Sequence, residues 1–106
     1  MDLAVHCYEA TASFPSEEKF GLVSQMRRAS SSVAANIAEG HGRETSGAFV
    51  QGLRIAQGSL KELETHVTLC TRVRLMDELV SSEILRRCDE LGRMLRALIR
   101  SLQDTK

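Results

Sequence analysis

Residues 49–70 read FVQGLRIAQGSLKELETHVTLC, and this stretch decides the fold. Its apolar side chains recur at alternating spacings of four and three residues, at Phe49, Leu53, Ala56, Leu60, Leu63, Val67 and Cys70. That alternation places all of these side chains on one side of an α-helix. The stretch therefore predicts a long helix with a single apolar side, as in coiled coils and helical bundles.

Three more segments carry the same spacing, and no segment has the two-residue alternation of a strand. The apolar positions are Ile84, Cys88, Leu91, Leu95, Leu98 and Leu102; then Leu22, Met26, Ala29, Val33 and Ile37; then Leu3, Cys7 and Ala10. Ser16, after Pro15, marks the start of the second helix, Gly40–Gly42 marks its end, and Thr45 or Ser46 can cap the third helix. The predicted helices lie near residues 2–13, 16–39, 46–74 and 79–103.

Short connections between these helices favour antiparallel neighbours. We therefore expect an all-α, up-down-up-down four-helix bundle with a short first helix, formed by residues 1–106 as one domain. The 106 residues include 14 Lys and Arg against 14 Asp and Glu. Zero net charge argues against a protein that binds nucleic acid through bulk positive charge, although it allows a local basic patch.

Three cysteines, Cys7, Cys70 and Cys88, fall at apolar positions without metal-ligand spacing. We expect them to be reduced thiols in the core of a cytoplasmic protein. No apolar run is long enough to cross a bilayer, and the start of the chain lacks the pattern of a signal peptide.

Small residues dominate positions 29–38, which read ASSSVAANIA. Such a helix can approach a neighbour closely, and the third helix offers Gly52, Gly58 and Ser59 as a matching face. Glycine inside a helix costs about 1 kcal/mol relative to alanine, so we expect Gly58 to be placed there by close packing. The alternative for this small-residue surface is an interface between subunits.

Motifs for enzyme chemistry are lacking. A di-iron bundle needs Glu three residues before His, and the residues three before His6, His41 and His66 are Leu3, Ala38 and Leu63. Glu62 and His66 are one helical turn apart, which favours an ion pair over a metal site. We expect no metal, no cofactor, no small-molecule substrate and no catalytic residue.

Two sets of polar residues remain as candidate sites. The first is a polar network at the end of the small-residue helix, formed by Asn36, Glu39, Ser59 and Glu62. The second is a set of arginines that could contact nucleic acid or a neighbouring subunit: Arg27, Arg28, Arg86, Arg93, Arg96 and Arg100. Arg86, Arg93 and Arg100 recur every seven residues, opposite the apolar positions of the fourth helix.

The sequences NIAEG, residues 36–40, and AQGSLKELET, residues 56–65, resemble the signature of the bundle proteins encoded in intervening sequences of bacterial 23S rRNA genes. The resemblance implies an antiparallel bundle that assembles as a homopentamer. It also implies kinship with the accessory variability determinant proteins of diversity-generating retroelements, which bind nucleic acid and a reverse transcriptase. Relatives usually have a further turn before the position of Met1, and those accessory proteins are basic, whereas this chain is neutral.

These observations lead to two functional hypotheses. The first is a non-enzymatic, oligomeric bundle that acts as an accessory factor bound to RNA, a ribonucleoprotein or a nucleic-acid enzyme. The alternative is a protein–protein scaffold without nucleic-acid binding, whose arginines form salt bridges between subunits.

Overall fold

A computed structural model describes residues 2–12, 21–42 and 45–104. These residues form four helices and no strand, which confirms the predicted all-α fold: α1 (Asp2–Thr11), α2 (Leu22–His41), α3 (Ser46–Arg72) and α4 (Glu78–Asp104). The helix ends agree with the predicted ones within two residues wherever both can be compared. The predicted helix start at Pro15 and Ser16 lies outside the described residues.

Helices adjacent in the chain pack side by side. Met26 near the start of α2 meets Cys70 near the end of α3, with 3.5 Å between the sulfurs, and Gly40 at the end of α2 lies against Phe49 at the start of α3. These contacts make α2 and α3 antiparallel. The short α1 packs against α2 and α4, and within the described ranges it does not contact α3. The helices therefore stand in the cyclic order of a four-helix bundle, 49 Å long.

Most of the core consists of side chains that the apolar spacing selected, with Met26, Leu53, Leu63, Val67 and Ile84 almost completely buried. Val23 and Met76 are also buried, although the spacing did not select them. All three cysteines are buried in the core, as their apolar positions predict, and they form no disulfide with one another. Among the described helices, none is long and apolar enough to cross a bilayer.

The apolar side of α4 differs from the predicted one along its second half. Gly92 and Ile99 are buried there, whereas Leu91 is only partly buried and Leu98 is 38% exposed. The prediction of Leu98 as a core residue is therefore wrong. A straight helix has 3.6 residues per turn, so a strict seven-residue repeat drifts around its surface by about 20° per heptad. In α4 the buried side follows this drift.

Capping hydrogen bonds are present at the start of α3, at the end of α2 and at the start of α4. Thr45 Oγ1 accepts a hydrogen bond from the Ala48 amide at 3.1 Å, which confirms Thr45 as the N-cap of α3. The Gly42 amide donates to the carbonyls of Ala38 and Glu39 and ends α2. At the start of α4, the Asp77 carboxylate accepts from the Leu79 amide at 2.8 Å.

Two glycines of α3, Gly52 and Gly58, differ in how closely other atoms approach them. A Cβ on Gly52 would lie 3.1 Å from the Asn36 carbonyl oxygen and 3.3 Å from the Gly40 Cα, so the backbones of α2 and α3 come close at this position. A Cβ on Gly58 would meet no atom within 4 Å. The prediction that Gly58 packs against α2 is wrong, because Gly58 lies on the outer side of α3. Ser59, one residue later, faces α2 as predicted.

Candidate nucleic-acid interface

Arginines in the first half of α4 are paired with carboxylates of their own helix. Arg86 donates to Glu83 at 2.7 and 3.1 Å and also to Glu90, and Arg87 donates to Glu83 at 3.1 Å. The hydrogen bond from Arg86 lowers the pKa of Glu83, and the same bond raises the pKa of Arg86. Their charges are already compensated, which makes these two arginines the less available ones for a phosphate.

Charge changes along α4. Residues 77–90 contain five carboxylates and two arginines, whereas residues 91–104 contain one carboxylate and three arginines. Those three are Arg93, Arg96 and Arg100, and all are exposed. Spacings of three and four residues place them on one side of the helix. The second half of α4 is thus a cationic surface, which we call the α4 arginine face.

The arginines of this face differ in their partners. Arg93 forms an ion pair with Asp89 at 2.8 Å. Neither Arg96 nor Arg100 has a carboxylate within 4.0 Å in the described part of the chain. The Arg96 guanidinium lies over Gly92, where a Cβ would come within 3.3 Å of Nη1. Two cations on this face therefore remain uncompensated.

Arg27 and Arg28 belong to other parts of the molecule. Arg27 stacks over the Tyr8 ring at 4.7 Å from the centroid and donates to Thr11 Oγ1 at 3.0 Å, so it joins α2 to α1. Arg28 lies 3.4 Å from the Glu62 carboxylate and joins α2 to α3. The structure places both predicted site residues away from the α4 arginine face.

The four residues of the predicted polar network fall into separate groups. Ser59 and Asn36 are connected through Ser32: the Ser32 and Ser59 hydroxyls are 2.8 Å apart, and Asn36 Nδ2 donates to the Ser32 carbonyl at 2.8 Å and to its hydroxyl at 3.1 Å. Ser32 was missing from the candidate set, although its position four residues before Asn36 places it on the same side of α2. This group joins α2 to α3 through side-chain hydrogen bonds.

Glu62 belongs to a second group, at 3.6 Å from His66 Nε2 and 3.4 Å from Arg28. This geometry agrees with the ion pair expected between Glu62 and His66. The described ranges contain no group of three or more His, Cys, Asp or Glu residues arranged to hold a metal ion. Glu39 lines a recess of about 250 Å³ at the α2–α3 end of the bundle, together with Asn36 and Gln51.

A family model for the 23S rRNA-intervening sequence protein matches residues 1–97. The chain belongs to this family. The match includes the NIAEG and AQGSLKELET segments, which contribute Asn36 and Ser59 to the group around Ser32. It also covers the first two arginines of the α4 arginine face, Arg93 and Arg96, and stops before Arg100.

Among solved structures, the family fold is found in a protein of unknown function from Bacteroides thetaiotaomicron, described as an S23 ribosomal protein family member. The two chains superpose with a TM-score of 0.83 over 92% of each chain, at 23% sequence identity. At this level of identity the likeness shows the fold alone. No curated protein matches the chain significantly.

Proposed function

We propose that this chain is a non-enzymatic, self-associating bundle of the cytoplasm that acts as an accessory protein bound to RNA or to a ribonucleoprotein. The observation that carries the proposal is the α4 arginine face, on which Arg96 and Arg100 lack a carboxylate partner in the described part of the chain. A phosphate backbone supplies the anions that such a face lacks.

The expected contact is with phosphates. Single-stranded nucleic acid is commonly held by aromatic side chains that stack on the bases, and α4 contains no aromatic residue. Arginines alone contact the backbone without reading the bases. Binding should therefore depend on salt and should discriminate little between sequences.

The test removes the two uncompensated cations. We expect the double variant Arg96→Gln/Arg100→Gln to weaken binding to a structured RNA by more than tenfold at low salt. The slope of log affinity against log salt should fall by about one for each phosphate that the variant no longer neutralises, because each neutralised phosphate releases about one counterion. Filter binding or fluorescence anisotropy over a range of salt concentrations measures both quantities.

The matched control is Arg86→Gln/Arg87→Gln, which removes the same number of charges from the same helix. Since these arginines are bound to Glu83 and Glu90, their loss should change RNA affinity much less. Equal losses in the two double variants would mean that net charge, and not the α4 arginine face, controls binding.

Self-association is the second part of the proposal. The resemblance implies five copies, and the nine large apolar side chains exposed on the described part of the chain support self-association. Light scattering at micromolar concentration should give a mass near five chains. The mass of a single chain would overturn this part of the proposal.

A protein–protein scaffold without nucleic-acid binding is the alternative function. It is favoured by the same exposed apolar side chains, because these serve protein contacts and not phosphates. An oligomer that binds no RNA at low salt would support the scaffold over the RNA-associated protein.

A further inference from the structure

Exposed apolar side chains fall on two sides of the bundle. Nine large apolar residues of the described chain are exposed, three of them on or just after α3 and six on α1 and α4: Ile55, Leu69 and Val73; Val5, Tyr8, Leu79, Val80, Met94 and Leu98. The described parts of α1 and α3 do not touch, so the exposed side chains of α1 lie apart from those of α3. Each of these two exposed apolar surfaces is a candidate for contact with another protein surface.

The first surface includes a groove between α1 and α4 with a volume of about 430 Å³. Leu79 is 81% exposed at this groove and Val80 is 40% exposed. Two carboxylates, Glu9 and Glu83, stand at its rim together with His6. Glu83 is held by arginines of α4, whereas Glu9 has no cation within 4.0 Å in the described ranges. The α1–α4 groove is therefore apolar inside, with one uncompensated carboxylate, Glu9, at its edge.

The second surface, at the end of α3, has the opposite charge. Leu69 is 43% exposed and Val73 is 52% exposed. Arg72 and Arg74 flank them, and neither has a carboxylate within 4.0 Å among residues 2–12, 21–42 and 45–104. We call these residues the α3 stripe. It is an exposed apolar strip with cationic edges, and so it complements the unpaired carboxylate of the groove in charge.

We infer that the α3 stripe of one copy binds in the α1–α4 groove of a second copy. This inference rests on the self-association proposed above and names the surfaces that meet. Leu69 and Val73 would cover Leu79 and Val80, while Arg72 would face the carboxylate of Glu9, which has no cation of its own chain within 4.0 Å in the described ranges.

Charge decides between this arrangement and a symmetric dimer. Two grooves facing each other would bring the two uncompensated Glu9 carboxylates together, and two stripes would bring the arginines together. Like charges placed together at an interface disfavour that pairing. A contact between unlike surfaces is heterologous, and repeated contacts of this type close into a ring or extend as a filament.

The test uses two variants that each damage one surface. Leu79→Lys places a cation in the groove, and Val73→Asp places a carboxylate on the stripe. Each variant alone should have the mass of one chain in light scattering. Mixed in equal amounts, they should form a dimer and nothing larger, because the only intact groove belongs to one variant and the only intact stripe to the other.

The matched control is Ser82→Lys, at an exposed position of α4 outside both surfaces, which should keep the mass of the unmodified protein. Circular dichroism would verify that every variant remains helical. Charge exchange supplies a second measurement: Arg72→Glu alone should dissociate the assembly, and Arg72→Glu combined with Glu9→Arg should restore it.

The outcomes distinguish a failure of this inference from a failure of the self-association on which it rests. An unmodified protein with the mass of one chain would overturn self-association and the inference with it. Two results would leave self-association intact and overturn the pairing of groove with stripe. In the first, both single variants keep the mass of the unmodified assembly; in the second, their mixture keeps the mass of one chain.

Discussion

Glycine occurs on both sides of α3, packed closely against α2 on one side and exposed on the other. Gly52 faces α2, where the Asn36 carbonyl and the Gly40 Cα leave no room for a side chain, whereas Gly58 faces open space. Six residues separate them, which turns the helix by about 600°, so they point in different directions. The inner side of α3 is fixed by packing, and its outer side is free to serve a partner. The contrast between packed inner positions and open outer positions, on α3 and in the other helices, can be tested in three ways.

The largest expected effect concerns the ionisation of buried thiols on the inner side of the bundle. Burial raises the pKa of Cys7 from 9.0 to about 11, against a smaller lowering by a hydrogen bond with Ser30. Burial and then the charge of Glu64 raise the pKa of Cys88 to about 12. Above pH 9 the thiols of the unfolded chain lose their protons while those of the folded chain keep them. Stability should therefore be complete below about pH 9 and fall as the pH rises towards 11.

Each thiol contributes a slope of up to about 1.4 kcal/mol per pH unit in this window. Urea unfolding at several values between about pH 8 and pH 10.5 measures it. The control is Cys7→Ala/Cys88→Ala, which is less stable at neutral pH but should lose stability with a shallower slope. Identical slopes for the two proteins would mean that the alkaline loss comes from other groups.

Overpacking at Gly52 is the second test. Gly52→Leu forces a side chain against the backbone of α2, which cannot move aside cheaply, and should lower the free energy of unfolding by about 3 kcal/mol. The matched variant Gly58→Leu makes the same chemical change on the outer side of α3. It should raise stability by up to about 1 kcal/mol, because leucine has the better helix propensity. Chemical denaturation of both variants measures the contrast, and equal losses would contradict the assignment of the two sides.

Much of the fold could be predicted from apolar spacing. The alternation of three and four residues identified the four helices and most of the core, because burial of one side is what the spacing encodes. The assignment of buried residues fails in the second half of α4, where the buried side of the helix departs from the seven-residue repeat. Leu98 and Ile99 are both apolar and adjacent, so the sequence alone cannot decide which is buried. Gly58 and Ser59 presented the same ambiguity among small residues.

The candidate sites were harder to predict because their residues depend on neighbouring helices. The pairing of Arg86 with Glu83 and Glu90 is readable from spacings of three and four residues, and that signal could have excluded Arg86 as a free cation. The stacking of Arg27 on Tyr8 depends on how α1 lies against α2. No local pattern encodes that contact.

The smallest expected effect concerns the contact that sets the register of α3 against α2. Ser59→Ala removes one hydroxyl of the 2.8 Å pair with Ser32, and the Ser32 hydroxyl keeps its hydrogen bond from Asn36. The loss should be about 1 kcal/mol, the usual net value of one hydrogen bond. Thr65→Ala is the control: its hydroxyl is exposed and donates only to the Lys61 carbonyl of its own helix at 3.0 Å, so its removal should change stability little.

Ser32→Ala should cost more than Ser59→Ala, because it removes the partner of Ser59 and one acceptor of Asn36. In the double variant Ser32→Ala/Ser59→Ala the two losses should not add, since the second substitution removes a hydroxyl whose partner is already gone. An interaction free energy of about 0.5–1 kcal/mol between the two sites, measured by urea unfolding of all four proteins, would identify this pair as the contact that holds α2 and α3 in register. Additive losses would instead assign the register to the close approach at Gly52 alone.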